Sequence, residues 1–106
     1  MDLDTAPARP IVRGPELRYL LTIQLFETHE QTVTELIAGV RACGFELDER
    51  ASKAVSDALR WEIGRGRVRR VRRGIYRRGS APRSTYYWIR KRVMALREPG
   101  AVPRGW

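Results

Sequence analysis

Between Arg65 and Arg78, eight of fourteen residues are arginine and none is acidic. A stretch so charged is expected to be exposed, since a guanidinium out of water needs a charged or hydrogen-bonded partner. It should form a solvated element. Its apolar residues are Val68, Val71, Ile75 and Tyr76, punctuated by Gly66, Gly74 and Gly79. This pattern predicts a β-hairpin, with a strand over Val68–Val71, a turn at Arg72-Arg73-Gly74 and a strand over Ile75–Arg77. Val68 and Val71 do not share parity, so a bulge is expected. A hairpin so charged gains nothing from self-repulsion, and a polyanionic partner explains it economically.

The charge is segregated along the chain. Residues 1–49 hold four basic and nine acidic side chains, whereas residues 50–97 hold sixteen basic and two acidic ones. The whole chain of 106 residues carries +9, with a pI near 11.0. Nineteen of the twenty-one bases are arginine, but a uniform compositional bias would not leave the first half acidic. One face of a small fold therefore carries concentrated positive charge, suited to nucleic acid first and to an anionic membrane second. The length fits one domain and is too short for a dinucleotide-binding dehydrogenase or an α/β barrel. No apolar run approaches the ~18 residues that span a bilayer. The acidic start, Met1-Asp2-Leu3-Asp4, has no hydrophobic segment behind it, so a cytoplasmic, nucleoid-associated location is expected.

Apolar spacing predicts four helices. The first runs from about Pro15 to Thr28, with Leu17, Leu21, Leu25 and Thr28 on one face and Tyr19, Ile23 and Phe26 nearly opposite. A helix apolar on two sides is sandwiched between the core and either another helix or a partner chain. The second begins at Thr32, where Thr32 and Glu35 have the spacing of a capping box, and Gly44 is its expected left-handed stop. Leu36, Ile37 and Val40 form its buried stripe. The third spans about 49–63 behind a cap at Asp48 and buries Ala51, Val55, Ala58, Leu59 and Ile63. Its opposite face shows Arg50, Lys53, Ser56, Asp57 and Arg60. The fourth runs over 84–97 with a stripe of Tyr86, Ile89, Val93 and Leu96, while Tyr87 and Met94 lie on a different face around Lys91. Residues 1–14, with Pro7, Pro10 and Gly14, read as a flexible arm, residues 15–97 as the domain and residues 98–106 as a tail.

The expected fold class is thus mainly α with a small β-hairpin. The stretch Thr32-Val33-Thr34-Glu35-Leu36, the helix Ser52–Leu59 and the segment Gly66–Tyr76 resemble winged helix-turn-helix bacterial transcriptional regulators, over about residues 15–78. The connection from the second helix to the third is longer than a tight helix-turn-helix turn, and Gly39 sits inside the second helix. The resemblance implies three helices, a two-stranded wing and a C-terminal helix. It implies double-stranded DNA as partner, with the third helix in the major groove and the wing along the backbone or in the minor groove. Arg50, Lys53, Ser56, Asp57 and Arg60 would meet base edges, although Asp57 and Arg60 also have the spacing of an internal pair. Arg72 and Arg73 at the tip suit a minor groove, and Arg67, Arg69, Arg70, Arg77 and Arg78 suit phosphates. RNA binding, with Tyr76 stacking on a base, is an alternative.

The apolar surplus of the first and fourth helices suggests a homodimer through Tyr19, Ile23, Phe26, Tyr87 and Met94, or an adaptor docked on a protein partner. The other arrangement is that the fourth helix covers the free side of the first. Membrane binding by the fourth helix has nothing else in the chain to anchor it. No enzymatic activity, cofactor or metal is expected. His29 stands alone, Cys43 has no second thiol, and Glu46, Asp48 and Glu49 are accounted for by a helix start. There is no phosphate loop or zinc-protease signature.

Overall fold

The computed structural model describes residues 9–97; most of the expected N-terminal arm and the tail 98–106 with Trp106 lie outside the described residues. In chain order the elements are α1 (Gly14–Thr28), β1 (Glu30–Thr32), α2 (Val33–Ala42), α3 (Ala51–Gly64), β2 (Val68–Arg72), β3 (Ile75–Arg78) and α4 (Arg83–Arg97). The described fold is mainly helical with a small antiparallel sheet of strand order β1-β3-β2.

Helix α1 is the centre of the molecule. It begins with Pro15 in its first turn, where the missing N–H costs nothing. From Leu20 to Leu25 every residue is buried, so no flank of the helix faces water there. Helices α2 and α3 pack on it from one side and α4 from another. Leu20, Leu21 and Leu25, each at most 1% exposed, contribute about 1.5–3 kcal/mol apiece by leaving water. Two polar residues ride inside this helix and both are partnered. The Thr22 hydroxyl donates to Glu62, and the Gln24 amide donates to Gln31 Oε1 at 2.8 Å and to the Leu36 carbonyl at 3.3 Å.

Helix α2 starts as its sequence dictates. The Thr32 hydroxyl accepts from the Glu35 N–H at 3.1 Å, and the Glu35 carboxylate accepts from the Thr32 N–H at 2.8 Å. Gly39 lies where α2 meets α1, and a Cβ there would stand 2.1 Å from the Gln24 amide nitrogen. Close approach of the two helices therefore explains a glycine inside a helix.

Three local expectations are corrected. Helix α3 is preceded by Arg50, not Asp48, and no side chain caps it. Thr28 and Ile63 are exposed; the Thr28 hydroxyl donates back to the Gln24 carbonyl. Residues Pro10–Val12 do not join an arm. They run beside the α2–α3 connection, with Val12 N–H to Glu46 O and Glu46 N–H to Pro10 O both at 2.9 Å, and Val12 is buried. That connection inserts Phe45 and Leu47 into the core, which its length allows.

Strand β1 has no counterpart in the sequence reading. Its three residues pair with β3 as Glu30↔Arg77, Gln31↔Tyr76 and Thr32↔Ile75. The hairpin itself forms with the expected bulge between Arg70 and Arg72, and Gly74 turns the chain at φ +75°. That angle is open to glycine without strain.

Candidate nucleic-acid interface

The hairpin register sorts the arginines. Residues directly opposite in an antiparallel pair point to the same side of the sheet. Val68↔Arg78 and Arg70↔Tyr76 share the inner side, where Val68 and Tyr76 are buried. Arg69↔Arg77 and Arg72↔Ile75 share the outer side. The bulge at Val71 decides this, because uninterrupted alternation would have aimed Val71, not Arg72, outward. Three arginines therefore share one surface of the sheet, with Arg73 at the tip. Arg69 and Arg77 are direct cross-strand neighbours, and Glu30 of β1, opposite Arg77 on its other side, shares this surface without coming within ion-pair distance. Among the described residues, Arg69, Arg70, Arg72, Arg73, Arg77 and Arg78 have no carboxylate within ion-pair distance, and all six are exposed. The Arg78 guanidinium rests 5.9 Å from the Phe26 ring centroid.

Arg67 departs from the expected phosphate role. Its guanidinium is turned inward on Glu62, with Nε to Oε1 at 2.7 Å and Nη2 to Oε2 at 2.9 Å. Glu62 is fully buried and also accepts from the Thr22 hydroxyl at 2.8 Å, while Arg18 Nε stands 3.4 Å away. This cluster joins α1, the end of α3 and the start of β2, and it fixes the root of the hairpin on the helices. Sequence reasoning passed over Glu62. The signal was present: Glu62 continues the Val55, Leu59 stripe at helical spacing, so a carboxylate in a core position demanded a cation.

On α3, Lys53, Asp57 and Arg60 lie on the outward face. Lys53 Nζ reaches Asp57 Oδ2 at 2.9 Å and Arg60 Nη1 reaches Oδ1 at 3.4 Å. The Lys53 hydrogen bond, then the charges of Lys53 and Arg60, hold the Asp57 carboxyl below its usual value. Asp57 thus binds both neighbouring cations in the free protein. Arg50 is exposed at the helix start and Ser56 is half-buried on the flank. Trp61, on the flank turned to α1, is 51% exposed with the Arg18 guanidinium 4.6 Å and the Arg65 guanidinium 5.3 Å from its ring centroid.

The expected dimer surface is largely consumed within the chain. Ile23 is buried, Phe26 packs on Tyr86 with centroids 5.3 Å apart, and Tyr19 is half-buried. Helix α4 covers the free side of α1, the other arrangement that the sequence allows. Tyr87 and Met94 remain exposed on α4.

His29 is an exposed turn residue at φ 77°, its N–H bonded to the Leu25 carbonyl and its carbonyl accepting from Arg78 N–H. The described residues contain no cluster of three or more metal-ligating side chains and no helix long and apolar enough to cross a membrane. No protein-family model, curated protein or solved structure matches this chain.

Proposed function

We propose that this protein binds double-stranded DNA as a winged helix-turn-helix transcriptional regulator. In this reading α3 lies in the major groove and the β2–β3 hairpin is the wing. The element order of α1, α2 and α3 followed by a basic hairpin supports it, as does the packing of β2 on α3 through Glu62 and Arg67. The observation that carries it is the row of arginines without carboxylate partners on the hairpin.

The roles follow from position. Arg69, Arg72 and Arg77, on one sheet surface, neutralise phosphates, with Arg70 and Arg78 at its margin and Arg73 at the tip. These contacts supply affinity without sequence information. Sequence is read from α3, where Lys53 and Arg60 donate to guanine O6 and N7 after leaving Asp57, and Asp57 accepts from a cytosine amine. Arg50 meets the backbone at the uncapped helix start, where unbonded N–H groups favour a phosphate. Arg67 has no part in the contact.

Selection of bound fragments from a random duplex pool tests the reading. The expected result is a defined motif that changes in the Lys53→Ala variant. A flat profile for both proteins would refute sequence-specific regulation.

A further inference from the structure

Helix α4 presents an outer face for which duplex binding has no use. Tyr87 is 62% and Trp88 54% exposed, and residues 83–97 contain no acidic side chain. The Lys91 ammonium lies 5.9 Å from the Tyr87 ring centroid and the Arg92 guanidinium 5.1 Å from that of Trp88. Trp88 and Tyr19 also line a groove of about 390 Å³ between α4, α1 and the start of β2, completed by Ile89, Ser84, Thr85 and Arg67. The surface continues past Tyr19. Arg18 approaches the Tyr19 ring at 5.9 Å and the Trp61 ring at 4.6 Å, and Arg65 lies beyond. The Arg18 and Arg67 guanidinium groups face Glu62, so the cations free for phosphate are Arg92 beside Trp88 and Arg65 beside Trp61.

Each class of occupant meets this surface differently. A second copy would bring an equally basic α4 against it, and like charges repel. A lipid surface needs a continuous apolar stripe, but Ile89 and Val93 of α4 are already buried against the core. A purely acidic peptide would use the cations and leave the rings idle. A paired duplex hides the faces of its bases. Unpaired nucleotides use both features, since each base offers a π-face to an aromatic ring and each phosphate a charge to a guanidinium. The Ser84 and Thr85 hydroxyls add donors and acceptors for base edges.

We propose that the groove between α1 and α4 binds a single-stranded nucleic-acid segment, a base stacking on Trp88 beside Tyr19. The inference rests on the nucleic-acid reading above and extends it: the protein engages duplex that carries an unpaired extension.

Fluorescence anisotropy of the full chain tests this with labelled oligo(dT), a blunt duplex and the same duplex bearing an oligo(dT) tail. The tailed duplex is expected to bind more tightly than the blunt one. Trp88→Ala should abolish that advantage and weaken oligo(dT) binding about 5- to 150-fold, the range for one lost base stack. Trp88→Phe should retain most of both, and blunt-duplex affinity should not change. Trp88 is more than half exposed, so its variants keep the fold, which a thermal melt verifies. Blunt-duplex binding with no gain from the tail, or a tail advantage that survives Trp88→Ala, would overturn this proposal alone. Displacement of oligo(dT) by polyglutamate at equal charge would also overturn it, because charge alone would then suffice. Binding of none of the three probes would overturn the duplex reading together with it.

Discussion

Replacing Arg67 with methionine removes both hydrogen bonds that the guanidinium gives Glu62, at 2.7 and 2.9 Å. Glu62 is 0% exposed and would be left with one hydroxyl and an arginine nitrogen 3.4 Å away. Removing one partner of a buried ion pair costs about 3–5 kcal/mol, because a charge remains without compensation. The Arg18 charge softens the loss, so the expected cost is about 3 kcal/mol, or a fall in Tm of roughly 12–24 °C for a domain of this size. Glu62→Leu should cost less, since the freed Arg67 and Arg18 side chains are 12% and 18% exposed and can turn to water. The double variant Glu62→Leu/Arg67→Met should approach wild type, because a well-packed apolar pair often matches a buried ionic one. Urea unfolding of the four proteins closes the cycle. If Arg67→Met lies within about 0.5 kcal/mol of wild type, as an exposed arginine would, the cluster does not anchor the hairpin.

Asp57→Asn should raise affinity for a duplex lacking the selected motif and steepen its salt dependence, because Lys53 and Arg60 lose their internal acceptor and turn to phosphates while a repelling charge disappears; anisotropy titrations at several salt concentrations measure it. Gly39→Ala should destabilise despite a gain of up to ~1 kcal/mol in helix propensity, because displacing the Gln24 amide strands buried polar groups at about 1–3 kcal/mol; urea unfolding decides the sign. The Leu47 N–H, then Arg41, lowers the Glu46 carboxyl below its usual value, so its stabilisation is present above the unfolded-state value and is lost as pH falls through the folded one. Glu46→Ala should therefore be less stable than wild type at neutral pH and should converge with it in acid, as thermal melts across pH will show.

Local rules carried well from residues to structure where a few neighbours decide the outcome. The Thr32–Glu35 box, the Gly44 stop, the bulge near Val71 and the α4 stripe each depend on contacts within a turn or a hairpin. The misses share another cause. Strand β1 exists only because β3 offers an edge across a separation of more than forty residues, and three residues hold no period of their own. In the sequence the cover of Ile23 is open between the fourth helix and a partner chain, and Arg67 looks available because it sits in an arginine run typical of surfaces. Their covers, α4 and Glu62, come from other elements. The groove lined by Trp88 and Tyr19 required the tertiary fold, because it lies between α4 and α1.

The arginine surface of the hairpin bears the whole account, and the salt dependence of duplex binding measures it most directly. Wild type and an Arg69→Ala/Arg72→Ala/Arg77→Ala variant are titrated with one duplex over a range of salt. Each lost phosphate contact should lower the log–log slope by up to ~0.9, giving a fall of up to ~2.7 for the variant. An unchanged slope, with both proteins binding equally, would contradict the placement of the hairpin on nucleic acid.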